Sequence, residues 1–290
     1  MGKLLIIADI KGSDVATPRG LELADKLGLE VEVVALVYAP LEKLKVGAAE
    51  QDLIRKRLIR DREEVVQARI DRKSRPGQSV KLKVVWEKDL AGWVNNYCAR
   101  GEYEMVVKTG HRTDTLAHTS TDWQMLRECP APVLIIAKKK WSHTKPVLAC
   151  LDLGSTVPAK KTLNDTILQR ASSLSDALDV ELKIICAIEI PTLLADLDLV
   201  DPLAYVADAQ HEMAPHIKAL AKAHNLPEKA FKIKRGPVEK VLVSEAAAKR
   251  AQIVVMGTVG RKGVKARLLG NTAERVLQRL KTDVLAIKPR

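Results

Sequence analysis

One alternation of short apolar runs and helical stretches occurs twice in this chain, and that repetition restricts the fold to very few options. Runs rich in Val and Ile mark strands at 3–9 (KLLIIAD), 30–38, 80–86, 104–110 and 132–138. Between them lie helical patterns: one opened by Thr17-Pro18, one with Ile54, Leu58, Val65 and Ile70 on one stripe, and shorter ones at 89–100 and 120–128. The order then returns, with strands at 146–152 (PVLACLD), 180–188, 230–236, 251–257 and 283–289. A helix carrying Leu163, Ile167, Leu174 and Leu178, a helical insert near 203–224 and a helix at 237–249 separate them. A sequence repeat of this kind fixes the domain count. Strands that alternate with helices form a parallel sheet covered on both faces, and unbroken apolar runs agree with strands buried on both sides. The expected fold is α/β: two tandem doubly wound domains, each with a five-stranded parallel sheet, at 1–140 and 145–290. The polar stretch KKKWSHTKP, 138–146, joins them. In such sheets ligands sit at the carboxyl ends of the strands, near the topological switch.

Composition narrows the function classes. No apolar run approaches the roughly 20 residues of a membrane span, and the start, MGKLLIIADIKGSD, reads as a first strand instead of a signal peptide. Cys98, Cys129, Cys150 and Cys186 are far apart with no CxxC pair, which fits buried thiols in a reducing cytoplasm and gives zinc little support. The net charge of +12 invites a nucleic-acid reading, yet most basic residues alternate with acidic ones, as in RKRLIRDREEVVQARIDRK, the pattern of a solvated helix face. Nucleic acid is therefore not the expected partner. The densest basic clusters are Lys138-Lys139-Lys140 in the linker and the Arg261, Lys262, Lys265, Arg267 set.

That second set lies in the stretch richest in chemistry. After the strand ending at Met256 comes Gly257-x2-Gly260-x9-Gly270-Asn271-Thr272 and then a helix. Glycines let backbone N–H groups approach phosphate oxygens, and a helix N-terminus adds partial positive charge. Asn271 and Thr272 have side chains that can cap the helix or bond a phosphate. The stretch is neither a P-loop nor a GxGxxG turn. Taken with VVM before it and AERVLQRLKTDVLAIKP after it, the loop resembles the nucleotide loop of the universal stress protein family. The resemblance extends over both halves, as two family domains in tandem, and STDWQMLRECPAPV at 120–133 resembles the tandem subfamily.

The resemblance implies an adenine nucleotide α-hydrolase-like fold and ATP, with Mg²⁺, as cofactor. It implies binding through Met256, Gly257, Gly260, Gly270, Asn271 and Thr272, with Asp152 beside the nucleotide and Ile188 against adenine. It also implies an intramolecular pseudo-dimer of the two domains, a possible homodimer, and stress tolerance exerted through an unidentified protein partner. The first half departs from the motif. Lys108-Thr109 stands where Met256-Gly257 stands, Thr119 replaces Gly270, and Thr121 follows Val107 by 14 positions where Thr272 follows Val255 by 17. A side chain where backbone must meet phosphate is an obstacle, so the first loop is expected to be degenerate.

Other readings stand beside these. Asp152 serves equally well as a helix cap, and Ile188 as core. Arg261 and Lys262 either pair with phosphate or are solvated. His111 and His118 make a poor metal site, and Trp123 reads as a packing anchor. No catalytic constellation is evident, which leaves at most a slow ATPase. The apolar insert 189–210 is read as a cover for the nucleotide, as the wall of a pocket for an acyl ligand, or as a helix pair.

Overall fold

The structure, a computed structural model, describes residues 2–10, 14–110, 120–137, 141–191, 193, 197, 199–258 and 270–289. It divides into two compact units, Met1–Lys138 and Lys139–Arg290. The first unit runs β1 (Lys3–Ala8), α1 (Ala16–Leu27), β2 (Glu30–Val37), α2 (Ala48–Lys73), β3 (Val80–Trp86), α3 (Leu90–Ala99), β4 (Tyr103–Thr109), α4 (Ser120–Glu128) and β5 (Val133–Ile136). The second runs β6 (Val147–Leu151), α5 (Pro158–Leu178), β7 (Leu182–Ile188), α6 (Pro202–Ala223), β8 (Phe231–Arg235), α7 (Val238–Ala248), β9 (Ile253–Gly257), α8 (Asn271–Arg279) and β10 (Asp283–Ile287). All ten expected strands are present.

Each unit builds the same parallel sheet, in the order β3-β2-β1-β4-β5 and β8-β7-β6-β9-β10. The chain leaves β1 toward β2 and later returns to β4 on β1's other side, and β6, β7 and β9 repeat the move. The central strands are apolar throughout because both of their faces are covered: Leu4 to Ile7 and Val147 to Leu151 are buried. Register equates the two switch points residue by residue. Ile7 pairs with Lys108 in the first unit, and Cys150 pairs with Met256 in the second. Lys108 and Thr109 therefore hold the places of Met256 and Gly257.

Three local features differ from the sequence expectation. α1 begins at Ala16, with Val15 at its N-cap, so Pro18 is its third residue and not its first. The Asp14 carboxylate accepts from the Thr17 N–H (3.0 Å) and hydroxyl (2.7 Å). On α2 the buried face is Val66 and Ile70, while Val65 is exposed, because Arg62 takes the turn position between Leu58 and Val66. The stretch 141–146 is more than a linker. Trp141 Nε1 donates to the buried Asp283 carboxylate at 2.5 Å, and the His143 N–H donates to Gln252 Oε1 at 3.1 Å.

The first unit buries an ion pair in its core. Lys108 Nζ lies 2.6 Å from Asp122 Oδ1 and also donates to the Thr109 carbonyl at 2.9 Å, with both side chains at most 5% exposed. Removing one partner of such a pair strands a buried charge and costs about 3–5 kcal/mol. Urea unfolding of Lys108→Met is expected to show a loss of at least about 3 kcal/mol, and Lys108→Met with Asp122→Leu is expected to recover most of it. A double-variant loss equal to the sum of the Lys108→Met and Asp122→Leu losses would show that the pair is not coupled.

Candidate functional site

In the second unit the switch point lies at the carboxyl ends of β6 and β9, where the connections leave in opposite directions. A cavity of about 320 Å³ opens there, within the size range of small-ligand sites. Six of the residues singled out by sequence line it: Asp152, Met256, Gly257, Gly270, Asn271 and Thr272. Gly260 and the cluster Arg261, Lys262, Lys265 and Arg267 lie outside the described residues, as do His111, His118, Thr119 and Lys138-Lys139-Lys140. Ile188 is buried and does not line the cavity, whereas its neighbour Ala187 does. Successive strand side chains point to opposite faces, so adjacent residues of β7 cannot share one.

The site is assembled from four elements. At the end of β6, buried Asn164 of α5 grips the Asp152 peptide from both sides. Its Oδ1 accepts the Asp152 N–H at 3.0 Å, and its Nδ2 donates to the Asp152 carbonyl at 2.8 Å. The Asp152 carboxylate meets Lys160 Nζ at 2.8 Å, in an ion pair partly open to solvent (56% and 29% exposed). The end of β9 supplies Met256 and Gly257. The first turn of α8 forms a further wall, with Gly270 at the N-cap. Gly270 has no side chain to cap the helix, so the first amides of α8 carry their partial positive charge toward the cavity. Arg275, on the next turn, also lines it. Leu163, Ile167, Val238 and Leu242 add apolar surface to the lining. The cavity thus offers both groups that suit an anion and surface that suits a flat apolar group.

Gly257 has a packing reason to be glycine. A Cβ there would come 2.7 Å from Leu163 Cδ2 and 3.4 Å from Ile167 Cδ1, so α5 closes directly onto the strand end. Both nearby thiols are inert. Burial pushes the Cys186 thiol up to about 11, with the negative charge of Asp152 adding to the shift, and burial likewise raises Cys150. Neutral thiols are poor nucleophiles and poor metal ligands. Among the described residues no group of three or more His, Cys, Asp and Glu could hold a metal ion.

The insert that follows β7 ends in α6, which the Asp201 carboxylate caps by accepting from the Leu203 and Ala204 N–H groups. α6 seats against the turn after Asp152: His216 Nδ1 lies 3.3 Å from the Leu153 carbonyl, and Met213 packs at Gly154. Leu193, Leu197, Leu199 and Leu203 are exposed and are not among the cavity's lining residues.

In the first unit side chains bond to the equivalent strand-end groups. Thr109, fully buried, accepts the Ala16 N–H at the start of α1 (3.0 Å). The Lys108–Asp122 pair stands where Met256 stands in the second unit. From α2, Arg62 Nη2 donates to the Ala8 (3.1 Å) and Asp9 (2.9 Å) carbonyls, across the end of β1. Burial lowers the Arg62 pKa, and the neighbouring Arg69 lowers it further. Helix α6 is the counterpart of α2, and its His216 contacts the carbonyl of Leu153, one residue farther along, so the end of β6 stays open.

Sequence reasoning missed Lys160, Asn164, Arg275 and Arg62. Asn164 and Arg62 left a signal, since each is a polar residue on an otherwise apolar helix face. Lys160 left a fainter one, a cation in the first turn of a helix whose N-cap, Val157, offers no side-chain acceptor.

Comparison with known proteins agrees with this architecture. The sequence profile of the universal stress protein family matches residues 2–137 and again 145–288. Universal stress protein E of Salmonella typhi is 28% identical over 297 residues, covering 99% of this chain and 94% of that protein. Universal stress protein E of Escherichia coli K12 is 32% identical over 221 residues, covering 73% and 69%. A universal stress protein from Archaeoglobus fulgidus DSM 4304 has a similar fold, with a TM-score of 0.65 at 19% identity over 99% of this chain and 98% of that one. A protein of unknown function from Pseudomonas aeruginosa PAO1 gives 0.70 at 22% identity, covering 99% and 92%.

The contact at Gly257 can be measured. Overpacking a core costs about 1–3 kcal/mol. Gly257→Ala is expected to destabilise by that amount, and in a double-mutant cycle with Leu163→Ala the two changes should couple by about 1 kcal/mol or more. Additive effects would mean that α5 does not constrain residue 257.

Proposed function

The chain belongs to the universal stress protein family, and we propose from this that its second domain binds an adenine nucleotide while its first domain binds none. The observation that carries the reading is the cavity at the switch point, whose lining mixes anion-binding groups with apolar side chains. Asp152, the end of β9 and the uncapped first turn of α8 meet there, together with the apolar side chains of Leu163, Ile167, Val238 and Leu242. A nucleotide has the same mixture, an anionic polyphosphate and a flat base. In the first domain Thr109, Arg62 and the Lys108–Asp122 pair use the equivalent groups internally.

The second site binds rather than turns over its ligand, because Lys160 already engages the Asp152 carboxylate that a hydrolytic mechanism would need free. Its output is ligand-dependent contact with a protein partner in the cytoplasm during stress. Among the described residues no helix is long and apolar enough to cross a membrane.

Denaturing the freshly purified protein and identifying the released small molecule by mass spectrometry is expected to yield at most one adenine nucleotide per chain. Gly270→Val tests the location. Gly270 has φ −67° and ψ 139°, open to any residue, so a side chain adds bulk at the cavity without backbone strain. ATP affinity by calorimetry should fall at least about tenfold with the far-UV circular dichroism unchanged. Two nucleotides per chain, or full affinity in Gly270→Val, would contradict the assignment.

A further inference from the structure

The ion pair at the mouth of the site bears on how a polyphosphate's charge is met. Resting on the nucleotide reading above, we propose that Lys160 supplies the counter-charge at this site in place of a divalent cation, so that the second domain takes its nucleotide without metal. A magnesium ion is held by oxygen donors, usually one or two carboxylates together with the phosphates themselves. Asp152 is the one carboxylate among the described residues lining the cavity, and its Oδ2 lies 2.8 Å from Lys160 Nζ. The donor set is therefore poor for a resident metal ion: its one carboxylate already holds an ammonium, and the other side-chain oxygens lining the cavity, of Asn164, Asn271 and Thr272, are neutral.

The surrounding charge points the same way. Lys160 and Lys161 sit in the first turn of α5, which has no acidic residue and no side-chain cap. Cations there add to the positive end of the helix instead of compensating it. Arg275 lines the cavity and is only loosely engaged, 3.8 Å from Glu239. The first turn of α8 adds a second helix N-terminus. A divalent cation at Asp152 would enter a field built from two helix termini, Lys160 and Arg275, which Glu274 in the first turn of α8 and Glu239 beside Arg275 offset in part. A polyphosphate meets the same field as attraction. On binding, Lys160 keeps its contact with Asp152 and turns its remaining donors to phosphate oxygens, which it can reach from a flexible stem.

ATP titration by calorimetry, in excess Mg²⁺ and again in EDTA, tests this. The unmodified protein is expected to show less than about threefold difference between the two. Lys160→Met should bind at least about tenfold more weakly in EDTA, and should recover part of that loss in Mg²⁺, because Asp152 is then free to help hold the ion. Lys160→Arg should keep the metal independence. A purely structural salt bridge would leave metal dependence unmoved in every variant. A tenfold or greater loss in EDTA for the unmodified protein, or an unaltered Lys160→Met, overturns the inference and leaves the nucleotide reading intact. Failure of the unmodified protein to bind ATP under either condition overturns both.

Discussion

A doubly wound parallel sheet cannot close its own switch point. Where consecutive connections depart from neighbouring strands in opposite directions, no chain crosses between them, and a crevice is left at the strands' carboxyl ends. In this protein the crevice lies at β1 and β4 in one unit and at β6 and β9 in the other. Its floor is made of strand-end peptides whose carbonyl and N–H groups must find partners. How each unit answers that requirement decides what it can do.

The two answers differ by few residues at equivalent positions. In the first unit a guanidinium from α2 reaches the carbonyls of residues 8 and 9, Thr109 takes an α1 amide, and Lys108 runs under the strand end to Asp122. Each is a side chain spent on the protein's own backbone or on another side chain. In the second unit the strand-end peptide is held from the side by Asn164, which lies within α5 and leaves the space above Asp152 clear. Glycine at 257 lets α5 close down without filling that space. The second cavity is therefore a consequence of where the backbone's partners come from, and the first unit is its own ligand.

The sequence made the strands legible because burial on both faces forces unbroken apolar runs, which no helix face mimics at that length. It made the loop legible because glycine spacing is written directly in the chain. Facing was less legible. The run VELKIICAI is apolar at nearly every position, so nothing in it tells that Ala187 and not Ile188 turns toward the cavity. On α2 the adjacent valines 65 and 66 compete for one stripe, and the deciding residue is Arg62, which a hydrophobic pattern discards. Lys160 looks like any solvated lysine until the fold brings it to an aspartate eight residues earlier.

The charge at the second site has a cost that points to its use. The α5 N-terminus, with Val157 at its N-cap, forgoes the acidic residue or side-chain cap that would relieve its positive end, and adds two lysines. The α8 N-terminus forgoes a side-chain cap as well. Val157 in place of a capping side chain costs about 1 kcal/mol of helix stability, and Gly270 only a few tenths; at α1 and α6, whose termini do not line this cavity, Asp14 and Asp201 accept from the first amides, although α2 also goes without a side-chain cap. The uncapped ends of α5 and α8 converge on one cavity, where a bound anion would complete both. Asp152 pairs with Lys160, Glu239 lies 3.8 Å from Arg275 and Glu274 sits in the first turn of α8, so what is left for an anion is the uncapped amides and Lys161. Stability withheld from the free protein becomes binding energy for an anionic ligand, and the second domain should be the more strongly stabilised of the two when that ligand is present.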